Sequence, residues 1–220
     1  MFNSRKEALD IVGGLSEPSK LPCYGYSLPT SACITGVKLQ NVTGTICRTC
    51  YARRGNYTFP HVQRAMERRL ESLKDPRWVD AMTYLITGMS YFRWHDSGDI
   101  QSVNHLQMIA EVARRTPETT HWLPTREYQM VIEFVDSMRA IARLKKKALR
   151  KYVPENLVIR LSAMRFEQKG PEKLAKKLGV LVSSASKTGF NCPASLQGNK
   201  CLLCRKCWER ETFDISYHRH

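Results

Sequence analysis

The sequence has no apolar run that approaches the ~20 residues a membrane-spanning helix needs. Its first residues, MFNSRKEALDIVGG, contain no continuous apolar stretch of the kind found in signal peptides, so no secretion signal is expected. No internal repeat or low-complexity segment stands out. We therefore expect one globular domain in a reducing compartment, and 220 residues are enough for a sizeable core. In such a compartment eight cysteines indicate metal binding rather than disulfide bonds.

Acidic residues are scarce. Asp and Glu number 20 against 35 Lys and Arg, which gives a formal net charge of +15. So basic a chain favours a polyanionic partner, most simply DNA or RNA, although a basic surface that only maintains solubility explains the same count. The cations recur along the chain, at Arg64, Arg68 and Arg69, within 139–151, and within 169–177.

The cysteine pattern is densest near the C-terminus. Cys201, Cys204 and Cys207 form a Cys-x2-Cys-x2-Cys run, and Cys192 stands apart in front of Pro193. Bacterial ferredoxins use a similar close run together with a remote Cys-Pro to hold iron–sulfur clusters. Zinc sites more often use two separated Cys-x2-4-Cys pairs. The spacing therefore favours a [4Fe-4S] cluster, with zinc as the alternative metal.

A second cysteine set lies in the N-terminal segment, at Cys23, Cys33, Cys47 and Cys50. Two designs fit it. All four thiols could close one metal site, or Cys33, Cys47 and Cys50 could hold a cluster with one iron left open while Cys23 is not a ligand. An open iron is a place where a substrate or cofactor binds.

Hydrophobic periodicity divides the chain into a cysteine-rich irregular arm at 1–59, a βα-repeat core at 60–190, and a cysteine-rich metal-binding tail at 191–220. In the core it predicts helices at 60–74, 77–87, 103–115, 128–152 and 172–178, and strands at 91–95, 120–123, 157–163 and 180–184. This alternation is typical of α/β proteins with a parallel sheet. Four strands, with one or two more in the arm, predict a partial parallel barrel or an open parallel sheet.

The loops that follow the four predicted strands meet at one edge of a parallel sheet, where functional groups collect. These loops carry His95, Asp96, Ser97, Gly98 and Asp99; then Thr125, Arg126 and Glu127; then Ser162, Met164 and Arg165; then Ser184, Ser186 and Lys187, shortly before Cys192. Simpler explanations exist for single residues: Asp99 and Thr125 could cap helices, and His95 could be a core histidine. Convergence of four loops nevertheless predicts a site.

The chain resembles the gene product 88 domain family of actinobacterial phages and plasmids. The resemblance rests on ICRTCYARRGNY at 46–57, FRWHDSGD at 92–99, HWLPTREY at 121–128, and the CP…CLLCRKCW ending at 192–208. It covers most of the chain. It implies a phage-encoded iron–sulfur protein in the cytoplasm of the infected bacterial host.

More distantly, the layout resembles radical S-adenosylmethionine enzymes, in which three cysteines near the first strand hold a [4Fe-4S] cluster on a partial α/β barrel. That resemblance implies that Asp96, Ser97, Gly98 and Asp99 contact the cofactor, the two aspartates orienting its amine. Arg126 and Arg165 suit a phosphate or carboxylate, so in an enzyme we expect them to hold an anion, with His95 and Glu127 as further catalytic candidates. The usual Cys-x3-Cys-x2-Cys spacing is absent, and Thr49 replaces the aromatic residue that normally precedes the last cysteine.

Three functions follow as hypotheses. The chain is an iron–sulfur enzyme of the radical type that acts on nucleic acid or a nucleotide, a non-catalytic iron–sulfur protein that binds DNA or senses redox state, or a zinc-stabilised module that blocks a host protein.

Overall fold

A computed structural model describes residues 2 and 4–217 of the chain. In this part of the chain the helices are α1 (Arg5–Val12), α2 (Ile34–Leu39), α3 (Pro60–Ser72), α4 (Trp78–Ile86), α5 (Val103–Arg115), α6 (Tyr128–Leu144) and α7 (Glu172–Leu178). The strands are β1 (Gly25–Tyr26), β2 (Tyr91–Trp94), β3 (Thr120–Thr125), β4 (Leu157–Ser162), β5 (Leu181–Ser184), β6 (Phe190–Asn191) and β7 (Asp214–Ser216). Short 3-10 turns join several of them.

The strands form one parallel sheet in the order β1-β2-β3-β4-β5-β7-β6. Because β1 and β6 lie at opposite ends, the sheet is open, which confirms the expected α/β class with an open parallel sheet. From β1 to β5 the strand order follows the chain. Right-handed crossovers of this kind carry successive helices to the same face of a sheet.

That face carries the main hydrophobic core. Every second residue of β2, β3, β4 and β5 faces this side, among them Phe92, Leu123, Ile159 and Val182. These side chains pack against α1, α4, α5, α6 and α7. Alternation follows from the two-residue period of a strand, which sends every second side chain to the same side. Trp78 of α4 is fully buried here, and its indole donates a hydrogen bond to the hydroxyl of Tyr26, 3.0 Å away.

The opposite face, here called the inner face, carries Arg93, Trp122 and Arg160. The C-terminal segment covers it with a smaller cluster of buried residues, in which Trp208 packs edge-on against Trp122 at 5.0 Å and Cys207 lies alongside. Helices therefore cover one face of the sheet, and the cysteine-rich tail covers the other.

Two sequence predictions need correction. The arm at 1–59 is not wholly irregular: it contains α1, capped by Ser4, and it supplies β1 to the sheet. The helix expected to reach residue 152 ends at Leu144, after which Lys146 adopts a left-handed φ of 49°. The chain turns back at this point because Leu149 packs against the core.

The tail at 191–220 is likewise more than a metal-binding appendage. Its β7 lies between β5 and β6, so the tail completes the sheet within its described part. No helix in the described part of the chain is long and apolar enough to cross a membrane.

Candidate functional site

The N-terminal arm lies over the carboxyl ends of β2, β3 and β4. The carboxylate of Glu127, which follows β3, accepts hydrogen bonds from the Thr35 backbone N–H (2.7 Å) and the Thr35 hydroxyl (2.6 Å) at the start of α2. After β4, the carbonyl of Met164 accepts from the N–H of Ile46 at 3.0 Å. The hydroxyl of Tyr51 donates to the carbonyl of Asp96 after β2. Three strand ends thus hold the arm, and Glu127 acts here as an anchor.

Asp99 joins the loops after β2 and β3. One carboxylate oxygen accepts from the Ile100 N–H (2.8 Å) and the Thr125 hydroxyl (2.6 Å), and the other accepts from the Arg126 N–H (2.9 Å). Burial raises the pKa of Asp99 to about 6, although these three hydrogen bonds oppose the increase. Both oxygens are already bonded to protein, so Asp99 positions Thr125 and Arg126. Helix capping falls instead to Ser102, at the N-terminus of α5.

Beside this network lies the first cysteine group, Cys33, Cys47 and Cys50. Burial, followed by the charges of Asp99 and the other two thiols, raises the pKa of Cys33. Burial also raises the pKa of Cys47, while the charge of Arg126 lowers it. A Cβ atom placed on Gly36 would lie 2.8 Å from the Cys33 Cβ, 3.6 Å from the Cys33 sulfur and 3.8 Å from the Cys47 sulfur, so α2 packs closely against both cysteines because residue 36 is glycine.

The second cysteine group contains Cys192, Cys201, Cys204 and Cys207 of the tail, together with Cys23 of the arm. Burial raises the pKa of Cys23 to about 12; the charge of Arg93 opposes the increase and that of Cys201 adds to it. Cys23 also packs against the buried cluster that contains Cys207. Cys207 lies deepest, with its sulfur 3.0 Å from the hydroxyl of Tyr217, and burial raises its pKa to about 12. Cys23 therefore lies with the tail cysteines and not with the first group.

Arg160 fixes the tail against the inner face. It is fully buried, and its guanidinium donates to the carbonyls of Lys206, Cys207, Glu209, Thr212, Phe213 and Val182. These bonds hold the chain on both sides of Cys207. Arginine suits this position because its five N–H donors spread in a plane and remain charged when buried.

The donor sets fit iron–sulfur clusters or zinc, because both bind cysteine sulfur. All eight cysteines are free of disulfide bonds. Among residues 2 and 4–217, no three Cys, His, Asp or Glu side chains already stand in metal-binding geometry. Binding at either group would therefore draw the thiols together.

The other predicted residues of the loop after β2 are tied to protein. His95 is buried, with Nδ1 3.2 Å from the Tyr26 carbonyl, and burial lowers its pKa to about 3, which keeps the ring neutral. Asp96 accepts from the hydroxyls of Ser16, Ser27 and Tyr57. The Ser97 hydroxyl donates to the Leu28 carbonyl at 2.9 Å. A Cβ on Gly98 would lie 2.5 Å from that of Leu28, and φ is +80°, so only glycine fits there.

The remaining predicted residues divide between the site and its surroundings. Arg126 lies at the site, and its Nε donates to the Ala163 carbonyl at 2.9 Å. Arg165 is exposed and donates to the Thr43 carbonyl of the arm. Ser184 instead bonds Asp214, and Ser186 bonds Thr188. The expected convergence thus holds for the loops after β2, β3 and β4, where the first cysteine group lies.

Sequence reasoning missed Arg93, Trp122 and Arg160. Arg93 and Arg160 each lie in the middle of a strand, within YFRW and VIRL, where an unpaired charge is costly. A charged residue inside an apolar strand is the signal that could have identified both.

The gene product 88 family model matches the chain over residues 3–210. No curated protein and no solved structure matches it. The comparisons therefore support the first resemblance drawn from the sequence and give no support to the second, more distant one.

Proposed function

This chain belongs to the gene product 88 family, and we propose that it is an iron–sulfur protein with two cluster sites, of which the first is open for a cofactor or substrate. The observation that supports this most is the separation of the cysteines. The charges of Cys50 and Cys47 add to the burial that raises the pKa of Cys33, whereas Cys23 packs against the cluster around Cys207 and is influenced by Cys201. Three thiols leave one position of a cubane cluster without a protein ligand.

The position of the first group supports an enzyme of the radical S-adenosylmethionine type. The three cysteines follow β1, lie at the carboxyl edge of a parallel sheet, and neighbour the loops after β2 and β3. A cluster with an open iron supplies a coordination position and single electrons. The chain's own residues would shape the space beside it: Asp99 orients the backbone of Arg126, and Glu127 fixes α2.

Asp96 is the better candidate of the two aspartates for a cofactor amine. Its carboxylate meets only hydroxyl groups, which can rotate to accommodate another donor. Asp99 meets two backbone N–H groups, which cannot move away without unfolding the loops. The amine contact expected of both residues is therefore assigned to Asp96 alone.

The test is anaerobic purification followed by iron, sulfide and zinc assays and electron paramagnetic resonance of the reduced protein. We expect iron and acid-labile sulfide, and a spectrum that changes when S-adenosylmethionine is added. Asp96→Asn should weaken that change, and Asp214→Asn, a matched carboxamide at a distant carboxylate, should not. Zinc without sulfide would support the zinc-stabilised module instead. A cluster that ignores S-adenosylmethionine would support a non-catalytic role.

Nucleic-acid binding is a second candidate function, supported by a basic groove at the end of α6. A cavity of about 360 Å³ is lined by Arg139, Arg143, Lys146 and Lys147, with Ala142 and Leu149 between them. Arg139 is partly exposed, 3.3 Å from Asp136, and donates to the Lys177 carbonyl at 2.7 Å, so it is the most constrained cation of the four. Four cations around one groove suit a phosphate backbone.

Charge reversal tests this candidate. Replacing Lys145, Lys146 and Lys147 by Glu should weaken DNA or RNA binding for all sequences and should flatten its dependence on salt. The control reverses Lys6, Lys20 and Lys74, which are exposed elsewhere on the molecule. Equal losses in the two triple variants would mean that only net charge matters, and absence of binding at low salt would exclude the candidate.

A further inference from the structure

Arg93 lies between the two cysteine groups on the inner face of the sheet. It pairs with Gly25 of β1 on one side and with Trp122 of β3 on the other. Its guanidinium carbon lies 3.7 Å from the centre of the Trp122 ring. Gly25 has no side chain, and the place of one is bordered by Ser16 and Asp96: a Cβ atom there would lie 3.2 Å from the Ser16 hydroxyl oxygen and 3.6 Å from Asp96 Oδ1. Burial raises the pKa of Tyr51 beside the first group and of Cys207 in the second, and the charge of Arg93 opposes both increases.

Within the part of the chain that the structure describes, the Arg93 side chain has no hydrogen-bond acceptor. Its Nε is buried without a partner, and no carboxylate lies within ion-pair distance. Burial lowers the pKa of Arg93, and the charges of Tyr51 and Asp96 raise it. The Asp96 carboxylate is itself engaged by the hydroxyls of Ser16, Ser27 and Tyr57. The indole N–H of Trp122, next to Arg93 in the same row, is also buried without a partner.

The unpaired Nε of Arg93 is costly, because burial removes water from a donor that no protein acceptor replaces. Arg160 on the same face shows the contrast, since its donors reach six carbonyls. A guanidinium stacked on an indole keeps its in-plane donors free, and that fork matches the two oxygens of a carboxylate or phosphate. Arg93 is partly exposed, so a ligand can reach it from solvent.

We propose that Arg93 and Trp122 form a binding site for an oxyanion, the carboxylate or phosphate of a small-molecule ligand. The site differs from the positions expected from the sequence, where Arg126 and Arg165 were to hold the anion. Both of those side chains donate to backbone carbonyls. Binding of an oxyanion at Arg93 requires no iron–sulfur cluster. The further interpretation, that the oxyanion belongs to a substrate held between two clusters, rests on the proposed function.

Equilibrium dialysis with labelled inorganic phosphate tests the proposal, with acetate and a short single-stranded oligonucleotide as competitors. We expect saturable binding of one phosphate per chain. Arg93→Gln should weaken it about ten- to a hundredfold, which corresponds to losing hydrogen bonds to a charged group. Arg114→Gln, which removes an equal charge from the exposed face of α5, should change nothing. Competition by acetate identifies a carboxylate-compatible site, and competition only by the oligonucleotide would overturn a small-molecule site.

Thermal unfolding without added anion separates binding from a structural role. If Arg93 is kept for a ligand, Arg93→Gln should be about as stable as the original protein, since the variant loses a buried Nε–H without a partner together with the stacking on Trp122. If that variant does not fold, Arg93→Lys carries the test: it keeps the charge without the fork and should bind phosphate at least several-fold more weakly. Absence of saturable binding, or equal binding by the Arg93 variants, would overturn the proposal. Iron content measured on the same samples shows separately whether the clusters form.

Discussion

Arg160 and Arg93 show that two arginines on the same face of the sheet can have different roles. They lie on neighbouring parts of the inner face, and both are arginines within apolar strands. Arg160 is saturated by backbone carbonyls of the tail, and Arg93 is not. The first is therefore structural, and the second is available to a ligand.

Arg160→Lys should destabilise the protein. Lysine offers three donors from one atom and cannot reach carbonyls on both sides of Cys207, so several buried acceptors lose their partners. We expect the free energy of unfolding in urea to fall by about 2–4 kcal/mol. Arg210→Lys is the control, because Arg210 is exposed and donates to only two carbonyls. Equal stability of the two variants would show that Arg160 does not hold the tail.

Buried histidines make stability depend on pH. Burial lowers the pKa of His121 to about 3, below the ordinary value near 6.5 that it has when unfolded. The neutral ring therefore contributes stability above pH 6.5, and this contribution decreases as the pH falls toward 3. In urea titrations between pH 7 and 4.5, His121→Gln should show a shallower loss of stability. His61→Gln, at an exposed position, should follow the original protein, and parallel curves for all three would contradict the assignment.

At the scale of elements, the periodicity of apolar residues was sufficient to locate the long helices and strands of the core at 60–190. The bounds of α7 were predicted to the residue, and α3, α4 and β4 to within a few residues. The strands β1, β6 and β7 have only two or three residues, so no period of two can be recognised in them. The end of α6 was missed because tertiary packing of Leu149, and not helix propensity, decides it.

The docking of α2 on Glu127 is the element-scale contact that completes the first site. Glu127→Ala should release the arm, because Thr35 then loses both of its acceptors. We expect faster proteolysis between α2 and α3 and reduced iron at the first site. Glu133→Ala, at an exposed position of α6, the helix that Glu127 precedes, should leave both properties unchanged. An arm that stays resistant in Glu127→Ala would show that the contacts of Ile46 and Tyr51 suffice.

At the scale of the whole molecule, the sheet separates two cysteine groups that the sequence could not assign. Spacing left open whether Cys23 joins Cys33, Cys47 and Cys50 or is not a ligand, and it gave no sign that Cys23 lies with the tail. The assignment depends on the sheet. Cys23 precedes β1 and lies with the tail, whereas Cys33, Cys47 and Cys50 follow β1 and lie at the carboxyl edge. Such three-dimensional grouping is not contained in local spacing.

Iron and sulfide content in cysteine variants tests the central proposal most directly. If two [4Fe-4S] clusters form, the anaerobically purified protein should contain about eight iron atoms per chain. Cys47→Ser should lose about half of them. Cys23→Ser should keep the electron paramagnetic resonance signal of the first cluster and its response to S-adenosylmethionine. A protein that contains zinc and no sulfide, or a Cys23→Ser variant that loses the first cluster, would contradict the account.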